Sequence, residues 1–86
     1  MNFNDIISLK LIMQNIQEWL RGLGKDYSID ELKKLQVLNL YRNQLQSLPE
    51  SFGDLKNLQV LYLNRNQLQS LPESIGELKN LQILYL

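Results

Sequence analysis

Residues 35–57 read LQVLNLYRNQLQSLPESFGDLKN, residues 58–80 read LQVLYLNRNQLQSLPESIGELKN, and 19 of the 23 aligned positions are identical. The four changes are Asn39/Tyr62, Tyr41/Asn64, Phe52/Ile75 and Asp54/Glu77. A third copy opens at Leu81 and runs LQILYL to Leu86, and Ser28–Lys34 aligns backwards with Ser51–Asn57. Periods of 20–50 residues belong to stacked arrays, in which one unit cannot bury its own apolar face and relies on its neighbours. In the first copy Leu35, Leu38, Leu40, Leu45, Leu48, Phe52 and Leu55 are expected to point inward. Seven such side chains bury too little to offset the ordering of a whole copy alone. The expected organisation is therefore an N-terminal segment, residues 1–27, followed by an array over 28–86 with two full copies and partial copies at each end.

Within a copy, Leu38 and Leu40 alternate with Val37, Asn39 and Tyr41, the period of a half-buried strand. Pro49 and Pro72 force an extended approach in the leucine before each. Ser28-x-x-Glu31 and Ser74-x-x-Glu77 read as capping boxes, with Ser51-x-x-Asp54 a shorter variant, each opening one short helical or 3₁₀ turn. Gly53 and Gly76 are expected where those turns pack closely. Glu50, Asp54, Glu73 and Glu77 recur beside these starts and are expected to be solvated charges at helix starts, not catalytic pairs.

Each copy thus carries L-x-x-L-x-L-x-x-N-x-L, at Leu35, Leu38, Leu40, Asn43 and Leu45 and again at Leu58, Leu61, Leu63, Asn66 and Leu68. The pattern resembles the leucine-rich repeat family. The following L-P-x-x-[FI]-G-x-L-x-x-L is similar to the 23-residue class found in Ras-group and plant-type intracellular repeats and in many bacterial proteins. The resemblance covers residues 28–86. It implies an α/β fold: a short right-handed solenoid with a parallel β-sheet, short turns outside and a cap at its first face. It also implies a non-enzymatic protein-binding module or scaffold of the kind used in signal transduction. Asn43 and Asn66 stand where the chain leaves the strand, and an amide there can satisfy backbone groups of adjacent turns.

Phe3, Ile6, Ile7, Leu9, Ile12, Met13, Ile16, Trp19, Leu20 and Leu23 fall mostly three and four apart, which predicts an amphipathic helix from about Asp5 to Gly22. Asn4 or Asp5 is expected to start it, and Gly22 and Gly24 to end it. The helix is expected to cover the open first face of the array. A partner-binding or membrane-surface helix is the alternative, the latter lacking a basic face, with only Lys10 and Arg21 in the helix proper.

Composition excludes most chemistry. There is no cysteine and no histidine, which removes disulfides, thiol catalysis, the usual zinc sites and every histidine-based triad. Nine basic and nine acidic residues give a formal net charge of zero, so nucleic acid is a poor partner. The Gly22-Leu23-Gly24-Lys25 stretch fails as a phosphate loop, with Trp19 where a glycine is required and Asp26 where Ser or Thr is required. No cofactor is expected. The longest run of non-aromatic apolar residues is three, Leu11–Met13, and counting tyrosine raises it only to four. No leader pattern is seen, so no membrane span and a cytoplasmic location are expected.

The remaining candidate is the open face of the sheet. Its expected ladders are Gln36/Gln59/Gln82, Val37/Val60/Ile83, Asn39/Tyr62/Tyr85, Tyr41/Asn64 and Arg42/Arg65. Exposed Tyr and Arg beside Val match the make-up of interface hot spots, and Tyr41, Arg42, Val60, Tyr62, Asn64, Arg65 and Tyr85 are the expected partner-binding residues. The partner would be a protein or peptide. Alternatively the chain is a segment of a longer repeat protein whose binding surface lies elsewhere, or self-associates through the uncharged strand edge at residues 81–86.

Overall fold

The computed structural model describes residues 2–86, with the side chains of Ile6, Ser8, Leu9 and Ile12 outside the description. Helix α1 spans Phe3–Gly22 and α2 spans Ile29–Lys34. Three strands follow, β1 (Val37–Asn39), β2 (Val60–Tyr62) and β3 (Ile83–Tyr85), with 3₁₀ turns at Glu50–Asp54 and Glu73–Glu77 between them. The strands form one parallel sheet in the order β1-β2-β3. Val37 pairs with Val60 and Val60 with Ile83, so each step across the sheet is one 23-residue period. The chain is therefore an α/β structure built on a small parallel sheet.

Helix α1 begins two residues earlier than the apolar pattern suggested. Asn2, rather than Asn4 or Asp5, takes the N-cap, its side-chain oxygen accepting from the Asp5 backbone N–H at 2.9 Å. Asp5 is the third helical residue and reaches back to the Asn2 N–H at 3.5 Å, a capping box that uses both polar side chains. The far end closes on Gly24, whose φ of +81° turns the chain left-handed. Gly24 N–H donates to the Arg21 carbonyl and Lys25 N–H to the Leu20 carbonyl, the paired bonds that satisfy a helix's last carbonyls. Gln17 then donates to the Tyr27 carbonyl at 2.9 Å, tying the connector back to the helix.

The capping box at Ser28 and Glu31 forms as expected, with both reciprocal bonds in place. Those at Ser51 and Ser74 do not. Pro49 and Pro72 hold the N-cap positions in extended conformation, and the turns begin at Glu50 and Glu73. Proline carries the preset φ that starts a helical turn, and the Pro49 carbonyl accepts from Phe52 N–H at 3.0 Å. Each serine is thereby carried inside its turn, where its hydroxyl oxygen is buried without a hydrogen-bond partner among the described residues. For the same reason only Glu50 and Glu73 lie at the turn starts, while Asp54 and Glu77 close the turns.

The inward-facing set is largely the expected one. Leu38, Leu40, Leu45, Leu48, Phe52 and Leu55 are buried, and Leu35 is half-buried against them. Leu58, Leu61, Leu63 and Leu78 continue the core, whereas Leu68, Leu71 and Ile75 of the second copy stay half-buried. Helix α1 enters the same core through Met13, Ile16 and Leu20, packing against α2 and the first 3₁₀ turn. Trp19 meets Phe52 edge to face at 6.0 Å, which explains why the copies differ at this place: Phe52 faces the helix, and Ile75 has no such neighbour. Phe3 and Ile7, assigned to the apolar face, are exposed, as is Leu11. Among the described side chains of α1, the buried ones lie between Met13 and Leu20. The expected inward places of Ile6, Leu9 and Ile12 lie outside the described residues.

Candidate functional site

The open face of the sheet starts from the strand residues that alternate with the core leucines. Leu38, Leu61 and Leu84 pair across one rung and point to the core; Val37/Val60/Ile83 and Asn39/Tyr62/Tyr85 make the rungs on either side. Val37, Ile83 and Tyr85 are exposed, and Val60 and Tyr62 are half-buried at the middle strand. Tyr62 and Tyr85 stack with ring centroids 4.7 Å apart and planes within 2°. The Asn39/Tyr62/Tyr85 rung therefore presents two aromatic rings held parallel, flanked by branched aliphatic side chains. The backbone of Gln36 and Gln59 opens the ladder, each carbonyl accepting two N–H groups from the next copy.

The other candidates lie beside the sheet rather than in it. The strands end at Asn39 and Tyr62, so Tyr41, Arg42, Asn64 and Arg65 sit on the bend that follows. Arg42 and Arg65 have φ of 58° and 62°, and Gln44 has φ of 58°. Left-handed backbone costs a side-chain-bearing residue roughly 1–2 kcal/mol, and here it swings the chain out of the ladder. The alternation rule has no term for such a bend. The Arg42 guanidinium carbon lies 5.5 Å from the centroid of the Tyr41 ring, a cation–π contact that lays the side chain along the bend. Asn64 occupies the place of Tyr41, with its side-chain oxygen buried and unpartnered among the described residues.

Asn66 organises the bend. Its side-chain oxygen accepts from Asn43 N–H and Leu45 N–H, both at 2.9 Å. Its amide donates to the Leu40 and Leu63 carbonyls, both at 2.8 Å. One side chain thus joins the bends of two copies. Asn43, at the same place one copy earlier, donates only to the Tyr41 carbonyl among the described residues, at 3.2 Å. A second asparagine pair escaped the sequence reading. Asn57 donates to the Lys33 carbonyl and Asn80 to the Lys56 carbonyl, each reaching back one copy on the outer side. The signal was present: both close their copies just before a leucine.

Charge divides sharply between the two sides. Residues 35–48 and 58–71 contain Arg42 and Arg65 and no carboxylate. The outer turns carry Glu50, Asp54, Glu73 and Glu77. Burial pushes the Asp54 carboxyl above its ordinary value, against the lowering effect of Lys56 and with a further upward push from Glu77. Lys56 pairs with Glu77 at 3.3 Å, and the other ion pair among the described residues joins Arg21 to Asp26. Neither Arg42 nor Arg65 takes part in one. A cavity of about 230 Å³ opens beyond the second copy, lined by Leu63, Arg65, Leu68, Leu71 and Leu86. Among the described residues no group of acids could hold a metal ion, and no helix is long and apolar enough to cross a membrane.

A family model of a leucine-rich repeat region matches residues 15–86, so the match enters at the second half of α1 and takes in every strand. No curated protein matches the chain.

Proposed function

Because the chain belongs to the leucine-rich repeat family, whose repeats generally serve as protein–protein interaction modules, we propose that it binds a partner protein or peptide on the open face of its sheet. The stacked Tyr62–Tyr85 pair carries this reading. Tyrosines already held in place lose little freedom on binding, and aromatic residues with arginine dominate interface energetics. Val60, on the neighbouring rung with Val37 and Ile83, supplies an apolar floor beside them, while Tyr41, Arg42, Asn64 and Arg65 form the rim on the bend. Asn43 and Asn66 are structural residues beneath that rim.

In this reading the repeats of 28–86 form a short right-handed solenoid, the hand that parallel crossovers take in about 98% of cases. Residues 1–27 cap its first face, as the burial of Met13, Ile16 and Leu20 in the shared core supports. The role is that of a scaffold, with no reaction of its own. Three strands at about 4.8 Å spacing offer less than the roughly 800 Å² that a standard partner covers. The partner therefore contributes a short segment. The test is a pull-down with the intact chain, followed by titration of the captured partner. Replacing Tyr62 and Arg65 together by alanine should weaken affinity by about 2 kcal/mol or more while the circular dichroism spectrum stays unchanged. Undiminished affinity in the folded double variant removes the sheet face from consideration.

A further inference from the structure

We propose that the segment recognised on this face is acidic: an extended stretch of a partner protein in which carboxylates alternate with apolar or aromatic side chains. The proposal rests on the reading that the sheet face binds a partner, and it adds the partner's chemistry. Arg42 and Arg65 stand at the same place in consecutive copies, with nearly the same left-handed backbone. The two bends are held in register one copy apart by the Arg42 N–H, which donates to the Asn64 carbonyl at 3.3 Å. Both are exposed, and neither meets a carboxylate among the described residues. Every acid of the two full copies lies on the outer turns, so no anion within these copies competes for the pair on its own side.

The backbone adds a second, independent observation. Glycine would occupy a left-handed position without strain, yet both copies place arginine there. Strained positions persist where the surroundings hold them and gather at ligand clamps. Two guanidinium groups offer bidentate hydrogen bonds to carboxylates, beside a tyrosine stack that takes the apolar residues between them. Nucleic acid fits this face poorly. Two cations neutralise too few phosphates, and the outer acids repel a longer polyanion.

The probe is a short fluorescein-labelled peptide in which Glu alternates with Val and Tyr, compared with its Gln counterpart by fluorescence anisotropy at low salt. The intact chain should bind the acidic peptide at least about tenfold more tightly, and added salt should erode the difference. Arg42→Gln with Arg65→Gln should abolish the preference. Glutamine suits this backbone, since Gln44 already holds φ of 58°. Lys34→Gln with Lys79→Gln makes the same change in net charge away from the sheet and should leave the preference intact. Tyr62→Ala should weaken both peptides alike. Equal binding of the two peptides by the intact chain, with loss in Tyr62→Ala, overturns the acidic preference and leaves the sheet-face reading standing. Binding of neither peptide overturns both. Tighter binding of a single-stranded oligonucleotide of matching charge overturns the choice of a protein segment.

Discussion

Gly53 and Gly76 hold the same place in consecutive copies and have opposite surroundings. A Cβ at Gly53 would lie 2.6 Å from the Ser74 carbonyl oxygen and 2.7 Å from the Ser74 Cβ, while one at Gly76 would meet nothing within 4 Å. The first 3₁₀ turn is covered by the second, and the second is the last such turn in the sequence. The expected close packing thus exists at Gly53 and not at Gly76. Gly53→Ala should therefore cost roughly 1–3 kcal/mol, the usual range for overpacking against backbone. Gly76→Ala should be neutral or stabilise by up to about 1 kcal/mol through the unfolded chain. Urea denaturation of the two variants measures the contrast, and equal midpoints would mean that the turns do not stack as described. Asn43 and Asn66 show the same dependence on position. The residue type says that an amide is needed, and the neighbouring copy decides how many backbone groups it serves.

Among the elements, α1 is the one whose role the repeat does not dictate. Removing residues 1–27 strips Met13, Ile16, Trp19 and Leu20 from Leu32 and Phe52, two of the most deeply buried side chains. The remaining Ser28–Leu86 fragment should lose cooperative thermal unfolding or aggregate, followed by circular dichroism and light scattering. A sharp melt in a monodisperse fragment would free α1 for some other task. The strands and the outer turns were legible in the sequence because alternation and near-identity each point to one answer. The error at Ser51 and Ser74 came from competition between two start signals, which proline settles through its fixed φ. The error at Phe3 and Ile7 has a different origin: helical spacing tells which side of a helix is apolar, not how far along its length the core extends. The candidate site was legible as a set of residues. The bend that carries Arg42 and Arg65 off the strands was not, because arginine gives no hint of a positive φ.

For the molecule as a whole, the two flanks of the core differ. One is joined by α1; at the other, the outer edge of β3 has no partner among the described residues, and Ile83 and Tyr85 are 43% and 44% exposed. An uncharged edge of this kind pairs readily with another strand. Light scattering over a concentration series should show mass rising with concentration for the chain of residues 1–86, and Ile83→Lys should hold it at the monomer. A monomer at every concentration without the substitution would show the edge to be adequately covered. The even register of the sheet also bears on how the chain becomes ordered. Both steps across it join residues 23 apart, as Val37 to Val60 and Val60 to Ile83. Loop-closure entropy depends on that separation alone to first order, so every rung demands the same loss of freedom. No pairing reaches beyond the neighbouring copy, yet every rung is parallel and joins residues 23 apart, so the sheet closes through non-local contacts and belongs with the slower topologies. With Phe52 joined to Trp19 at the α1 flank and the outer edge of β3 unpaired among the described residues, β3 is expected to be the first strand to fray when the chain is warmed, read as faster amide exchange at residues 83–85 than at 37–39.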